Sequence, residues 1–122
     1  MNSNDYKKFA LTLDRPSYEP LREQMNGPEL RLVHATMGIS GEAGELLDAV
    51  KKHVFYRKPL DVDNVKEEIG DIMWYAAIAL DAVGSSFEEV MALNQAKLSK
   101  RYSSGSFSEK QAQERADKQN EG

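Results

Sequence analysis

The 122 residues suffice for one packed core and are too few for two, so a single domain over 1–122 is expected. The absence of cysteine excludes disulfides, thiolate catalysis and Cys-ligated zinc, and fits a reducing, cytoplasmic setting. A net charge of −4 disfavours non-specific nucleic-acid binding, and no apolar run approaches the ~18 residues that span a bilayer. Met1–Tyr6 has neither the basic nor the apolar region of a secretory signal. Strand signals are scarce while Ala, Leu, Glu, Lys and Met are plentiful, which predicts an all-α domain.

In chain order, Asp5–Thr12 is the first predicted helix, with Tyr6, Phe9, Ala10 and Leu13 as its apolar stripe. Three of the four prolines fall between Arg15 and Pro28, which reads as an irregular connector with a turn of helix at Leu21–Met25. Pro28 suits the first turn of a long helix from Glu29 to His53, its core face carrying Leu32, Ala35, Ile39, Leu46, Ala49 and Val50. Phe55–Pro59 breaks that pattern.

Asp61 or Asp63 can cap the next helix, which extends to Val83 with Val65, Ile69, Ile72, Ala76, Ala79 and Leu80 at core spacing. Gly84 is the expected terminator. Ser85 or Ser86 caps a helix to Tyr102 that buries Val90, Met91, Leu93 and Leu98, and Ser86-x-x-Glu89 matches a capping box. After the break at Ser103–Ser106, Ser108-x-x-Gln111 opens a polar helix to Lys118, part of a polar C-terminal tail over 103–122. That segment buries too little to stand alone and is expected to pack on a partner or fray.

Two acid pairs carry the chemistry: Glu42-x-x-Glu45 and Glu68-x-x-Asp71. A spacing of three sets both acids of a pair on one helical face, roughly 5–6 Å apart. Apolar neighbours flank each pair, and solvated helix faces do not usually set acids in such surroundings without partners. Four converging carboxylates repel unless cations sit among them, and all-oxygen ligation favours Mg²⁺, with Mn²⁺ as a substitute. The competing di-iron bundle requires Glu-x-x-His, and neither His34 nor His53 stands three residues after a candidate glutamate.

Around the acids, several residues admit two readings. Gly38, Gly41 and Gly44 either allow close helix packing or clear space for a ligand. Asn94, Lys97 and Arg101 form a polar and basic helix edge, either solvated or set to hold phosphate. Tyr75, one turn after Asp71, is a core-edge aromatic or a substrate contact; Trp74 stacks a base or fills a core or oligomer interface. His34 is a surface residue or a ligand contact. Lys52 reaches the site or lies in solvent, and Tyr56-Arg57-Lys58 is a phosphate-contacting flap or a plain turn.

Taken together, Gly41-Glu42-Ala43-Gly44-Glu45-Leu46, Glu67-Glu68-Ile69-Gly70-Asp71-Ile72-Met73-Trp74-Tyr75, Lys52-His53-Val54-Phe55-Tyr56-Arg57-Lys58-Pro59-Leu60-Asp61, Asn94-Gln95-Ala96-Lys97-Leu98 with Arg101-Tyr102, and Phe107-Ser108-Glu109 resemble the MazG-like all-α nucleoside triphosphate pyrophosphohydrolases. The likeness runs from about Tyr6 to Asp117. The family pattern is Glu-Glu-x-x-Glu followed by Glu-x-x-Asp; Gly41 replaces the leading acid, and Glu42, Glu45, Glu68 and Asp71 match the rest. The resemblance implies a four-helix bundle completed as a homodimer or homotetramer. It also implies Mg²⁺ on those four acids and hydrolysis of a (deoxy)nucleoside triphosphate to monophosphate and pyrophosphate. It places Asn94 and Lys97 on phosphate oxygens. A pyrophosphatase dedicated to a single dNTP (dUTP, dCTP or dGTP) in phage nucleotide metabolism, and a non-catalytic helical metal-binding or regulatory dimer, are the alternatives.

Overall fold

The computed structural model describes residues 1–118, and among them the chain is all-α, with no strand. It divides into two compact units, Met1–Leu30 and Arg31–Gly122.

In the first unit, α1 (Ser3–Leu13) starts where the Asn2 side chain accepts the Asp5 N–H at 2.9 Å, a local N-cap. The short α2 (Glu19–Gln24) carries Pro20 in its first turn, where a missing N–H costs nothing. The Asn26 side chain accepts from Glu29 N–H at 2.9 Å and its carbonyl accepts from Leu30 N–H. This cap starts α3 (Gly27–Phe55) two residues ahead of the predicted Glu29.

The second unit is built on an antiparallel pair, α3 and α4 (Val62–Ala82). Going up α3, Arg31 meets Asp81 (Nη1–Oδ2 2.7 Å), His34 and Gly38 meet Tyr75, and Glu42 meets Glu68. Asp61, rather than Asp63, caps α4 by accepting from Asn64 N–H at 3.0 Å. At the far end Gly84 takes a φ of +71°, which an L side chain resists; Ser85 N–H then reaches Leu80 O and Gly84 N–H reaches Asp81 O. That pair of bonds is the Schellman closure foreseen at Gly84.

Between the two helices the connector is tied down: Lys58 N–H bonds Lys52 O, and His53 Nδ1 donates to Lys58 O at 2.7 Å, with Arg57 at a φ of +55°.

Ser86 caps α5 (Phe87–Arg101) through Glu89 N–H, and Ser108 caps α6 (Glu109–Glu114) through Gln111 N–H. The tail folds back on α5. Arg101 pairs with Asp117 of the closing 3-10 turn (Nε–Oδ1 3.0 Å), Tyr102 and Phe107 stack at 5.8 Å, and Gln111 bonds Ser103 and Ser104. Over the described residues the tail, expected to pack on a partner or fray, lies on α5 of its own chain, and its helix, expected to reach Lys118, stops at Glu114, where Arg115 takes a φ of +49°.

Burial is the point at which the structure departs from the expected core. Ala35 is fully buried, but Leu32, Ile39, Leu46, Ile72, Ala76, Ala79 and Leu80 are only half-buried. Val50, Ile69, Val83, Met91, Leu93 and Leu98 are exposed. A single helix pair covers one side of each apolar stripe and leaves the other open. Among the described residues the buried charged side chain is Glu68, 8% exposed.

Candidate metal centre

The register of α3 against α4 makes the site. Gly38 stands one turn before Glu42, and Tyr75 one turn after Asp71, so the Gly38–Tyr75 contact is the layer directly above the acids. A Cβ at Gly38 would sit 2.5 Å from Tyr75 Cγ, so glycine there lets the tyrosine ring lie against the α3 backbone. Of the two readings of the glycine stripe, Gly38 therefore takes the packing one, while Gly41 has open space around it and Gly44 lines a cavity.

Below that layer, one carboxylate oxygen from each of Glu42, Glu68 and Asp71 lies within 4.8 Å of the other two. Glu42 is half-buried, Glu68 buried and Asp71 exposed, giving a graded approach from solvent. Glu68 Oε2 and Glu42 Oε2 have no hydrogen-bond partner. A buried carboxylate oxygen without a donor is costly, and among the described residues no N–H or hydroxyl group supplies one. Glu42, burial and Glu45 push the Glu68 carboxyl up to about 7; a protonated Glu68 can donate to Glu42, and the charged form faces both negative neighbours. Glu68 thus shares the three-oxygen group with Glu42 and Asp71, while Glu45, exposed and outside that group, acts on Glu68 through its charge.

The group fits a hard divalent cation: every donor is a carboxylate oxygen, two of the oxygens are unpartnered, and the acids straddle two helices.

Beside the acids opens a cavity of about 450 Å³, lined by Gly44, Glu45, Asp48, Asn64 and Glu68. Asp48 and Asn64 were not among the predicted site residues. Their signal was present, since Asp48 extends Glu42-x-x-Glu45 by a further three residues and Asn64 stands one turn before Glu68. Lys52 and Lys51 both bind Asp48 (2.9 and 3.3 Å) and hold its carboxyl below its ordinary range; Asp48 in turn raises Lys52.

The other predicted residues are distributed as follows. Tyr75 is half-buried between His34, edge-on at 5.9 Å, and Trp74, edge-on at 4.8 Å, so these three form one aromatic cluster next to the acids. Trp74 is 59% exposed. Lys58 has its backbone in the α3–α4 connector and its side chain exposed. Asn94, Lys97 and Arg101 lie on α5, with no hydrogen bond or ion pair to the acids among the described residues. Asn94 lines an apolar cavity of about 900 Å³ with Met91, Leu98, Tyr102 and Phe107, and Arg101 is engaged by Asp117.

A helix pair that gathers carboxylates round a buried glutamate is an arrangement that a divalent cation fits. The model of the MazG nucleotide pyrophosphohydrolase domain matches residues 33–105, which contain all four acids, and the chain belongs to that family. The family supports nucleotide pyrophosphohydrolase activity in general and is typically metal-dependent. The chain is also similar to the Gene 37 protein of Mycobacterium phage L5, 40% identical over 50 residues. That likeness covers 38% of this chain and 44% of the phage protein, less than half of either. No solved structure matches the chain. No helix among the described residues is long and apolar enough to cross a membrane.

Proposed function

We propose that the chain is a Mg²⁺-dependent pyrophosphohydrolase that cleaves (deoxy)nucleoside triphosphates between the α- and β-phosphates. The observation that carries this reading is Glu68, a buried carboxylate with an unpartnered oxygen, grouped with Glu42 and Asp71 and under the charge of Glu45. These four residues hold the cation; when bound, Mg²⁺ supplies neutralisation of the triphosphate and acidification of water. Glu42 or Glu45 takes the proton of the attacking water, whose oxygen bonds the α-phosphorus as the bond to the bridging oxygen breaks and pyrophosphate leaves. Lys97, Asn94, Arg101 and Lys58 hold phosphate oxygens, while Tyr75, Trp74 and His34 face the nucleoside.

The reading includes a second copy of the chain, in a cytoplasmic homodimer or homotetramer. Its support is the set of half-covered apolar stripes, together with the location of the α5 residues apart from the acids. A second α5 brings Asn94 and Lys97 to the site while covering exposed apolar side chains.

Incubation with Mg²⁺ and each common NTP and dNTP, dUTP included, tests the reading by its products. Monophosphate plus pyrophosphate, lost in Glu68→Gln, is the expected result, and the ranking shows whether one dNTP is preferred. Diphosphate plus phosphate overturns the bond assignment. Absence of turnover with every substrate, in Mg²⁺ or Mn²⁺, leaves the helical metal-binding dimer.

A further inference from the structure

We propose that Lys52 is a polyphosphate-binding residue at the rim of the acid cavity, held there by Asp48. The proposal deepens the pyrophosphohydrolase reading and rests on it. The cavity is electrostatically graded. At its inner wall Glu68 presents a buried oxygen with no donor and no cation beside it. At its outer wall Asp48 is already neutralised, Oδ2 by Lys52 at 2.9 Å and Oδ1 by Lys51 at 3.3 Å.

A divalent ion therefore belongs at the inner wall, where carboxylates lack a counter-charge, and not at Asp48, where two ammonium groups occupy both oxygens. Glu42 and Asp48 are six residues apart, about 9 Å along the helix axis at 1.5 Å per residue. A lysine side chain on a helix leans toward the N-terminus, which carries Lys52 Nζ back over Asp48 and toward the acids. A polyphosphate whose one end is held at the inner carboxylates, where a divalent cation would sit, would have its other end near the Lys52 ammonium.

The two lysines are not equivalent. Lys51 also lies over the Tyr56 ring, 5.8 Å from its centroid, and is held by that ring as well as by Asp48. Lys52 has Asp48 as its ion-pair partner and a side chain 55% exposed, leaving N–H donors free to turn to a phosphate oxygen. Asp48 keeps that ammonium charged and at the rim before the substrate arrives. Asn64 also lines the cavity, a neutral residue that tolerates anionic oxygens better than a carboxylate would.

The test is calorimetric titration of the full chain, in Mg²⁺, with inorganic tripolyphosphate and with inorganic phosphate as probes. Lys52→Ala is expected to weaken tripolyphosphate about tenfold, the loss of one charge-assisted contact, and to leave phosphate unchanged; Lys52→Arg retains binding. Lys51→Ala is expected to stay within about twofold of the unsubstituted chain. Lys52→Ala indistinguishable from the unsubstituted chain overturns the proposal, and so do equal losses in Lys51→Ala and Lys52→Ala, which reflect general charge alone. Mg²⁺ titrated by itself separates the underlying reading. Metal binding that Glu68→Gln abolishes, beside an inert Lys52→Ala, removes Lys52 only; no metal binding by the unsubstituted chain removes both.

Discussion

Gly38→Ala is the most direct probe of how the acids are assembled. The added Cβ would lie 2.5 Å from Tyr75 Cγ, against an ordinary carbon–carbon contact of about 3.5 Å, so the ring or α4 must retreat by roughly 1 Å. Overpacking of this kind costs about 1–3 kcal/mol, while replacing a mid-helix glycine by alanine returns up to about 1 kcal/mol. The overlap outweighs the propensity gain: the net loss is about 0–2 kcal/mol, and a domain of this size loses roughly 4 °C of melting temperature per kcal/mol. Gly41→Ala, with nothing within 4 Å of its new methyl, supplies the propensity term alone and should melt at or above the parent. Because Tyr75 stands one turn after Asp71, its retreat also parts Asp71 from Glu42, and Mg²⁺ affinity by calorimetry should fall with the melting temperature. In Gly38→Ala the further change Tyr75→Ala should cost less than it does in the parent, a coupling of about 0.5–3 kcal/mol. A Gly38→Ala protein that melts no lower than the parent, with unchanged Mg²⁺ affinity, refutes the packing layer.

Two more outcomes follow from the charges. The folded Glu68 carboxyl lies at about 7, above its ordinary value of 4.5, so the folded chain binds the extra proton between those values. The stability this proton confers is fully present below about pH 4.5 and is lost as pH rises through 7; thermal melts in chelator should show that decline, and Glu68→Gln should flatten it. Asp117→Ala removes the carboxylate that fastens the tail to Arg101 on α5, and limited trypsin digestion should then cut faster at Lys110 or Arg115, with cleavage before Arg101 unchanged.

Helix positions, and the caps at Asp61, Ser86 and Ser108, were legible because a cap and an apolar stripe are local signals. The start of α3 was missed by two residues, because Pro28 marks a first turn without saying that Asn26 supplies the cap. The acid pairs were legible from spacing, whereas the choice of Glu68 as the buried member was not. That choice depends on the α3–α4 register, which Gly38 and Tyr75 set across 37 positions of chain, and periodicity within one helix is blind to it. The Arg101–Asp117 pair is hidden for the same reason: the sequence marks Arg101 as a cation and leaves open which carboxylate it meets.

The burial pattern and the charge pattern bear on each other at the acid cluster. Met73 and Trp74 directly follow Ile72, beside Asp71, and are 56% and 59% exposed; Met37, beside Gly38, is 67% exposed. Apolar surface of this extent on the two helices that carry the acids is unusual in a lone folded unit and is the kind of surface a partner covers. Covering it would also remove water from the flank of Asp71 and strengthen each charge interaction around the nucleotide. The proposed second copy thus meets two separate demands, one from hydrophobic burial and one from the chemistry. Sedimentation of the parent beside Met73→Glu ties them together: a charge at that apolar surface should dissociate the assembly and, with it, abolish turnover, while Mg²⁺ binding by the acids of α3 and α4 persists.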